Sequence, residues 1–222
     1  MVGLNSGNLR NARDTLFHAF QLIGNITGQS GRADSLINFI EQEIRTLDSL
    51  TEAKPIQYRL SAYIGGISFR GAHGISSTEA FYAPFRFVNV ENVAGNLKEK
   101  EPVQPTGTYV DLEQIIQWDP DFLFIDAAGL QQARPELEEG TPLAQTLTAV
   151  KQRNVYALMP HNWYATNFVN VLANAWFVGK VMHPQAFRNI DAEGKARRLY
   201  RVMVGRDVYD QMKSIYDGWE QL

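Results

Sequence analysis

Apolar residues recur every three to four positions through the first fifty residues of the chain. One stripe consists of Leu9, Leu16, Phe20 and Ile23, and a second of Leu36, Phe39, Ile40, Ile44 and Leu47. This spacing predicts two helices within residues 8–50. The glycines between 24 and 31 predict a break between these helices, and the second helix should close before Pro55.

Short apolar runs farther along the chain predict strands. They are residues 57–64 (QYRLSAYI), 122–126 (FLFID) and 154–158 (NVYAL). Helical patterns accompany them at residues 111–118, 141–152 and 168–182. Strands that alternate with helices predict an α/β fold, with a mostly parallel sheet flanked by helices.

The remaining segments have weaker patterns. We expect a short helix at 77–83, and a second short strand or an extended connection at 85–93. Residues 97–108 are charged and contain two prolines and a glycine, which is typical of a surface loop. The tail, 191–222, is predicted to be amphipathic and helical.

The composition fits a globular chain and excludes several classes of function. With 45% hydrophobic and 20% charged residues over 222 positions, the chain can bury a sizeable core. A net charge of −3 with no basic run argues against a nucleic-acid partner. The absence of cysteine excludes disulfides, thiolate metal sites and cysteine nucleophiles.

The sequence contains no membrane or export pattern. No apolar stretch reaches the roughly 20 residues that a membrane span needs, and the opening MVGLNSGNLRNARD lacks the features of a signal peptide. We therefore expect a soluble chain that carries no export signal in the sequence as written. Its first residues read like the end of a strand, which indicates that further sequence stood upstream.

A glycine-rich loop follows the first predicted strand, within YIGGISFRGAHGISS (residues 63–77). Its glycines permit close backbone approach to a ligand, and Arg70 and His73 supply donors for carboxylate, phosphate or chelate oxygens. It has neither the Gly-Lys-Ser/Thr of a Walker loop nor GxGxxG spacing. A plain surface turn with Arg70 in a salt bridge explains the same residues, so both interpretations stay open.

A second candidate loop, residues 159–166 (MPHNWYAT), follows the last predicted strand. His161, Trp163 and Tyr164 offer aromatic faces and donors that suit a planar or macrocyclic ligand. Alternatively, Trp163 covers the core beside the apolar helix that follows. Loops at the carboxyl ends of parallel strands converge on one crevice, so we expect the two candidate loops to lie side by side.

Patterns for catalysis are weak. Asp119 and Asp121 flank a proline, and such a pair fits a solvated turn better than a catalytic dyad. The four histidines show no HxxxH or HxH spacing for a metal site, and no serine lies in a GxSxG sequence. Glu113 lies on the polar side of helix 111–118 and by itself indicates only an exposed face.

Four blocks of the sequence resemble a known family. YVDLEQIIQWDPDFLFID (residues 109–126) resembles the signature of class III periplasmic substrate-binding proteins, which serve ABC importers of ferric siderophores, haem and cobalamin. The other blocks are GQSGRADSLINFIEQEI, YIGGISFRGAHGISSTEAFYAPF and NVYALMPHNWYATNFVNVLANAWFVGKVMHPQAF. They resemble the family in the same order, and together the similarity covers nearly the whole chain from about residue 20.

The resemblance implies two α/β lobes joined by a long helix, with ligand held between them. Residues 1–52 would be the end of the N-terminal lobe and the long interlobe helix, and residues 53–222 the C-terminal lobe. The rest of the N-terminal lobe, with any signal peptide or lipoprotein cysteine, would lie upstream. A periplasmic or cell-surface location of the full-length parent follows from the same resemblance.

The resemblance also places residues on the ligand-facing side, and the composition of the second loop adds His161. The candidate ligand-binding residues are Phe69, Arg70, His73, His161, Trp163 and Tyr164. Glu113 would lie near the place where family members present a surface glutamate to arginines of the permease.

The expected function is capture of an iron chelate of siderophore type, or a related metal complex, and its delivery to an ABC transporter permease, with no enzyme activity and no cofactor. Other ligands of the same class stay open: a corrinoid, haem, molybdate or tungstate. Two further hypotheses are a lobe that docks to the permease without contacting ligand, and an enzyme or cofactor-handling protein on a related fold. In the last, His73 would be acid or base and Arg70 an anion clamp.

Overall fold

A computed structural model of the protein describes residues 7–51, 60–97 and 108–222. Its strands are β1 (Ser61–Gly65), β2 (Ser77–Thr78), β3 (Glu91–Asn92), β4 (Thr108–Tyr109), β5 (Phe122–Asp126) and β6 (Val155–Leu158). The central sheet is parallel, with the order β3-β1-β5-β6, and β2 pairs with β4 as a separate antiparallel ribbon. The predicted parallel sheet is confirmed.

Helices surround this sheet. They are α1 (Arg13–Thr27), α2 (Ser30–Leu50), α3 (Ala83–Phe87), α4 (Leu112–Trp118), α5 (Leu130–Leu137), α6 (Pro142–Thr146), α7 (Thr148–Lys151), α8 (Phe168–Met182), α9 (Ala192–Val204) and α10 (Tyr209–Tyr216). The helix predicted for 168–182 is confirmed as α8. Within the described ranges, no helix combines the length and apolarity required to cross a membrane.

Alternation along the strands divides the core between the two faces of the sheet. Ile64 and Phe124 point into a cluster built with α1, α2, α3, α8 and α9. Their neighbours Tyr63, Leu123 and Ile125 point into a second cluster, under α4, α5, α6 and α7. Successive strand residues face opposite sides, so continuous apolar runs are buried on both faces. The predicted flanking of the sheet by helices is confirmed.

The first two helices form a hairpin that packs against the rest of the molecule. Gly28 ends α1 with a φ of +70°, and the N–H of Gln29 donates to the carbonyl of Gly24 at 2.7 Å. In α2, Ile40 and Leu47 are fully buried in the cluster that they share with α8. The predicted break between two helices is confirmed. The domain division between residues 52 and 53 falls outside the described residues and stays a prediction.

Two predictions for the region 77–93 are wrong. The segment predicted as a helix begins with β2. Most of the segment predicted as a short strand or an extended connection belongs to α3 and the turn after it, and within 85–93 only Glu91–Asn92 forms a strand. Pro84 lies in the first turn of α3, where its fixed φ favours a helix start. Phe85 and Phe87 suggest a strand by composition, but both are buried against the core, so tertiary packing outweighs local propensity.

Predicted boundaries also shift elsewhere. The single helix predicted for 141–152 is the pair α6 and α7, separated at the fully buried Leu147, whose backbone is extended. The strand predicted from residue 57 begins at Ser61, and residues 57–59 lie outside the described ranges. Most of the loop predicted for 97–108 lies outside them as well.

Candidate functional site

Three loops meet at the carboxyl edge of the central sheet, namely those that follow β1, β5 and β6. The N–H of Arg70 donates to the carbonyl of Trp163 at 3.1 Å, and Nδ2 of Asn162 donates to the carbonyl of Ser68 at 2.9 Å. The predicted side-by-side placement of the glycine-rich loop and loop 159–166 is therefore confirmed. That these loops hold a ligand stays a prediction.

Two glycines permit this close approach. Gly66, directly after β1, has a φ of +72°, which residues with a Cβ rarely adopt. Gly129, after β5, lies so close to the glycine-rich loop that a Cβ there would be 2.3 Å from the carbonyl oxygen of His73. Part of the glycine content thus has a structural reason that is independent of any ligand.

Arg70 is exposed at the tip of the glycine-rich loop. Its φ of +52° is uncommon for a residue with a side chain, and backbone strain of this kind is concentrated at functional sites. The guanidinium carbon lies 5.3 Å from the centroid of the Phe69 ring. Within the described ranges no carboxylate forms an ion pair with Arg70, so the salt-bridged surface turn is not observed there.

His73 is half-buried and turns back onto its own loop. Its Nε2 lies 3.1 Å from the carbonyl oxygen of Phe69, and its ring meets Tyr109 edge to face with centroids 5.4 Å apart. These contacts hold the loop together. A direct role of His73 or Phe69 in ligand binding stays a prediction.

Trp163 and Tyr164 are the exposed aromatic residues of loop 159–166. Trp163 is 44% exposed and Tyr164 76%, with ring centroids 6.5 Å apart. The loop is closed at its base, where the N–H of Asn167 donates to the carbonyl of His161 at 2.7 Å. Trp163 belongs to neither core cluster, so its alternative interpretation as a cover for the core has no support among the described residues.

His161, by contrast, lies in the interior beneath this loop. It is 4% exposed, its Nδ1 lies 3.1 Å from Oδ2 of Asp126, and its Nε2 lies 3.3 Å from Oε2 of Glu79. Burial lowers the pKa of His161, but the hydrogen bonds with Asp126 and Glu79 outweigh it and raise the pKa to about 9. The imidazole is therefore a buried cation at neutral pH, held between two carboxylates.

The charge cluster continues to the segment before α1. Nη1 of Arg10 lies 3.3 Å from Oε1 of Glu79. Burial raises the pKa of Glu79, but the hydrogen bond with His161 and the charge of Arg10 produce a net lowering. Arg10, Glu79, His161 and Asp126 thus join the N-terminal segment, the residue after β2, the loop after β6 and the end of β5.

A small cavity adjoins this cluster. Its lining includes Phe69, Thr78, Glu79, His161 and Asn162. Oδ1 of Asn162 is buried and has no hydrogen-bond partner among the described residues. Since buried polar atoms are nearly always paired, this cavity is suited to ordered water or to a small polar group.

Sequence reasoning missed the carboxylates of the cluster. Asp126 follows four apolar residues at the carboxyl end of β5, a position where an acidic residue faces the ligand edge of a parallel sheet. That position could have singled it out. Glu79 carries no comparable sequence pattern.

Asp119 and Asp121 bind different parts of the fold. Both oxygens of Asp119 accept from Thr148, one from its N–H and one from Oγ1, at 2.7 Å each. Oδ2 of Asp121 accepts from the N–H and Oγ of Ser61 at 2.8 Å. Each carboxylate therefore fastens the start of another element, α7 or β1. Glu113 is exposed in the first turn of α4.

No ready-made metal site is present in the described part of the chain. Within residues 7–51, 60–97 and 108–222, no three His, Asp or Glu side chains are grouped so that they could hold a metal ion.

A comparison with protein families identifies the family to which this fold belongs. A model of the periplasmic binding protein family matches residues 2–161. That match covers well over half of the chain, so the chain belongs to the periplasmic binding protein family. Among curated protein sequences there is no significant match.

Solved structures share the fold at low sequence identity. An ABC transporter solute binding protein from Sulfurospirillum deleyianum has 18% identity and a TM-score of 0.67, covering 90% of this chain and 60% of its own. A periplasmic solute binding protein from Veillonella parvula has 19% identity and a TM-score of 0.65, covering 97% and 63%. The molybdate periplasmic binding protein MolA of Haemophilus influenzae, solved with molybdate bound, has 16% identity and a TM-score of 0.67, covering 88% and 57%. The chain therefore spans less than two thirds of these proteins.

Proposed function

We propose that the protein captures a solute for an ABC importer, and that the solute is an iron chelate of siderophore type or a related metal complex. The supporting observation is the pair of hydrogen-bonded loops at the carboxyl edge of the sheet, with Arg70, Trp163 and Tyr164 exposed on them. Membership of the periplasmic binding protein family supports the same function. Delivery to a membrane permease and a periplasmic or cell-surface location belong to this proposal.

The exposed side chains supply complementary interactions for such a ligand. The rings of Trp163 and Tyr164 offer apolar area that a chelate can cover, and the guanidinium of Arg70 pairs with carboxylate or other anionic oxygens. The charge cluster beneath the loop supports these groups from below, and a direct contact of His161 with the solute stays a prediction. Rigid support of this kind lowers the entropic cost of binding.

Other ligands of the same class compete with an iron chelate. Haem and a corrinoid suit the exposed aromatic rings, and molybdate and tungstate suit the guanidinium of Arg70. The similarity to MolA, solved with molybdate bound, is a reason to test the oxyanions as well. The enzymatic hypothesis based on His73 and Arg70 has no observation in its favour among the described residues, because Nε2 of His73 is already engaged with its own loop.

Tryptophan fluorescence tests the capture proposal. The protein is titrated with ferric siderophores, haemin, cobalamin, molybdate and tungstate. Trp176 and Trp219 are buried, at 0% and 7% exposure, and Trp118 is half-buried at the end of α4, whereas Trp163 is 44% exposed on loop 159–166. A ligand on this loop should therefore quench mainly Trp163. Saturable quenching that disappears in Trp163→Phe, with affinity retained by calorimetry, supports the proposal. Absence of binding for every probe contradicts it.

We further propose that Glu113 contacts the permease. It is exposed in the first turn of α4, on the helix that covers the second core cluster. The carboxylate is free to pair with a guanidinium of a partner, because among the described residues it forms no ion pair. This role is independent of ligand binding and is tested separately below.

A further inference from the structure

We infer that the ligand-binding surface extends beyond the two loops into a cleft between loop 159–166, α5 and α10, and that this cleft takes an anion with a broad apolar body. The inference rests on the proposed function and narrows its ligand class. The cleft has a volume of about 920 Å³, a size typical of sites that enclose small organic molecules. Its lining includes Leu130, Arg134, Trp163, Met212, Ile215 and Tyr216.

The exposed apolar side chains of this cleft come from two separate elements. Ile215 is 68% exposed and Tyr216 36% on α10, and Trp163 is 44% exposed on the facing loop. Helix α10 is fixed from its other end, where Tyr209 is fully buried. Ile215 and Tyr216 lie at the exposed end of the same helix, where apolar area is costly unless something covers it.

Arg134 supplies the charge for an anionic group. It is exposed on α5 and lines the cleft, and its side chain forms no ion pair or hydrogen bond with the described residues. Asp217 also lines the cleft but forms no salt bridge with Arg134. An unpaired guanidinium beside apolar side chains complements a ligand that carries a carboxylate or a phenolate oxygen on a largely apolar frame.

This arrangement separates the candidate ligands. A tetrahedral oxyanion such as molybdate presents only oxygens, and it gains nothing from Ile215 or Tyr216. Haem and a ferric catecholate complex both combine an aromatic body with negative charge, so they can cover the apolar wall while pairing with Arg134. We therefore expect an organic anion of this chemistry rather than an inorganic oxyanion.

The test compares three probes, namely haemin, ferric tris-catecholate and molybdate, by calorimetry. The variants are Ile215→Ser and Arg134→Gln, with Ile26→Ser and Arg188→Gln as controls, since these two residues are also exposed but lie outside the cleft. Far-UV circular dichroism checks that each variant is folded. We expect the wild type to bind one of the two organic anions. Each cleft variant should bind that anion with about tenfold lower affinity, equivalent to about 1.4 kcal/mol. The two controls should bind it with the affinity of the wild type.

The outcomes distinguish this inference from the proposed function. If the wild type binds an organic anion and both cleft variants bind it equally well, the cleft assignment is wrong while solute capture stands. If the wild type binds molybdate only, the ligand class is wrong and solute capture again stands. Binding of none of the three probes contradicts the inference, and the wider ligand panel then decides the proposed function.

Discussion

Replacing His161 by glutamine tests the buried charge cluster directly. Glutamine is similar in length and can form hydrogen bonds, but it cannot carry a positive charge. In His161→Gln, the carboxylates of Asp126 and Glu79 lose the cation that lies 3.1 Å from one and 3.3 Å from the other. Burying a carboxylate without its partner is costly, so we expect the variant to be less stable at neutral pH.

The magnitude follows from the pKa of the histidine. Burial lowers this pKa and the hydrogen bonds with Asp126 and Glu79 raise it, with a net change from 6.5 to about 9. One pKa unit corresponds to about 1.4 kcal/mol, so the protonated His161 contributes about 3 kcal/mol to the free energy of unfolding. Because the folded-state pKa exceeds the unfolded value, this contribution is complete below pH 6.5, declines as the pH rises, and is lost above about pH 9.

The assay is urea denaturation of wild type and variant at pH values below, within and above this window. The quantity compared is the difference in the free energy of unfolding between the two proteins, which should be about 3 kcal/mol at the lower pH values and shrink steadily toward pH 9. His18→Gln is the matched control, since His18 is exposed on α1. A difference that does not change with pH would refute the charged state of His161 in the folded protein.

Two further substitutions test the loop junction and the docking residue. Gly129→Ala would place a Cβ 2.3 Å from the backbone oxygen of His73, so urea denaturation should show a free energy of unfolding lower by about 2 kcal/mol. The control Gly31→Ala, in open space on α2, should raise the free energy of unfolding by about 0.5 kcal/mol. Equal stability of Gly129→Ala and wild type would contradict the close approach of the loops. Glu113→Lys should weaken binding to the permease at least tenfold without changing ligand affinity, while Glu139→Lys, exposed after α5, should leave docking unchanged. Equal docking by both variants would rule out the role of Glu113.

Much of the candidate site could be located from the sequence, but not the roles of its residues. The two loops were predicted from their composition and from their position after buried strands, because parallel strands bring their carboxyl ends to one edge. Loop composition does not report which side chains face inward. Trp163 is 44% exposed and His161 only 4%, although they lie two positions apart in one loop.

The sequence by itself determined the longer strands β1, β5 and β6, the helices α2, α4 and α8, and the two-sided covering of the sheet. Helical and strand periodicities are local, so a stripe such as that of α8, or an apolar run such as β5, predicts its own element from neighbouring residues alone. Where local composition and packing disagree, as at Phe85 and Phe87 in α3, the local pattern predicted the wrong element.

Only the tertiary structure decided which distant side chains meet. Glu79 and His161 are 82 residues apart, and Asp126 and His161 are 35 apart. Nothing in the local pattern pairs them, because their contact arises from the order of strands in the sheet and from the antiparallel pairing of β2 with β4. The same holds for the cleft, where α10 meets a loop about fifty positions earlier in the chain, and that meeting brings Ile215 and Trp163 to one surface.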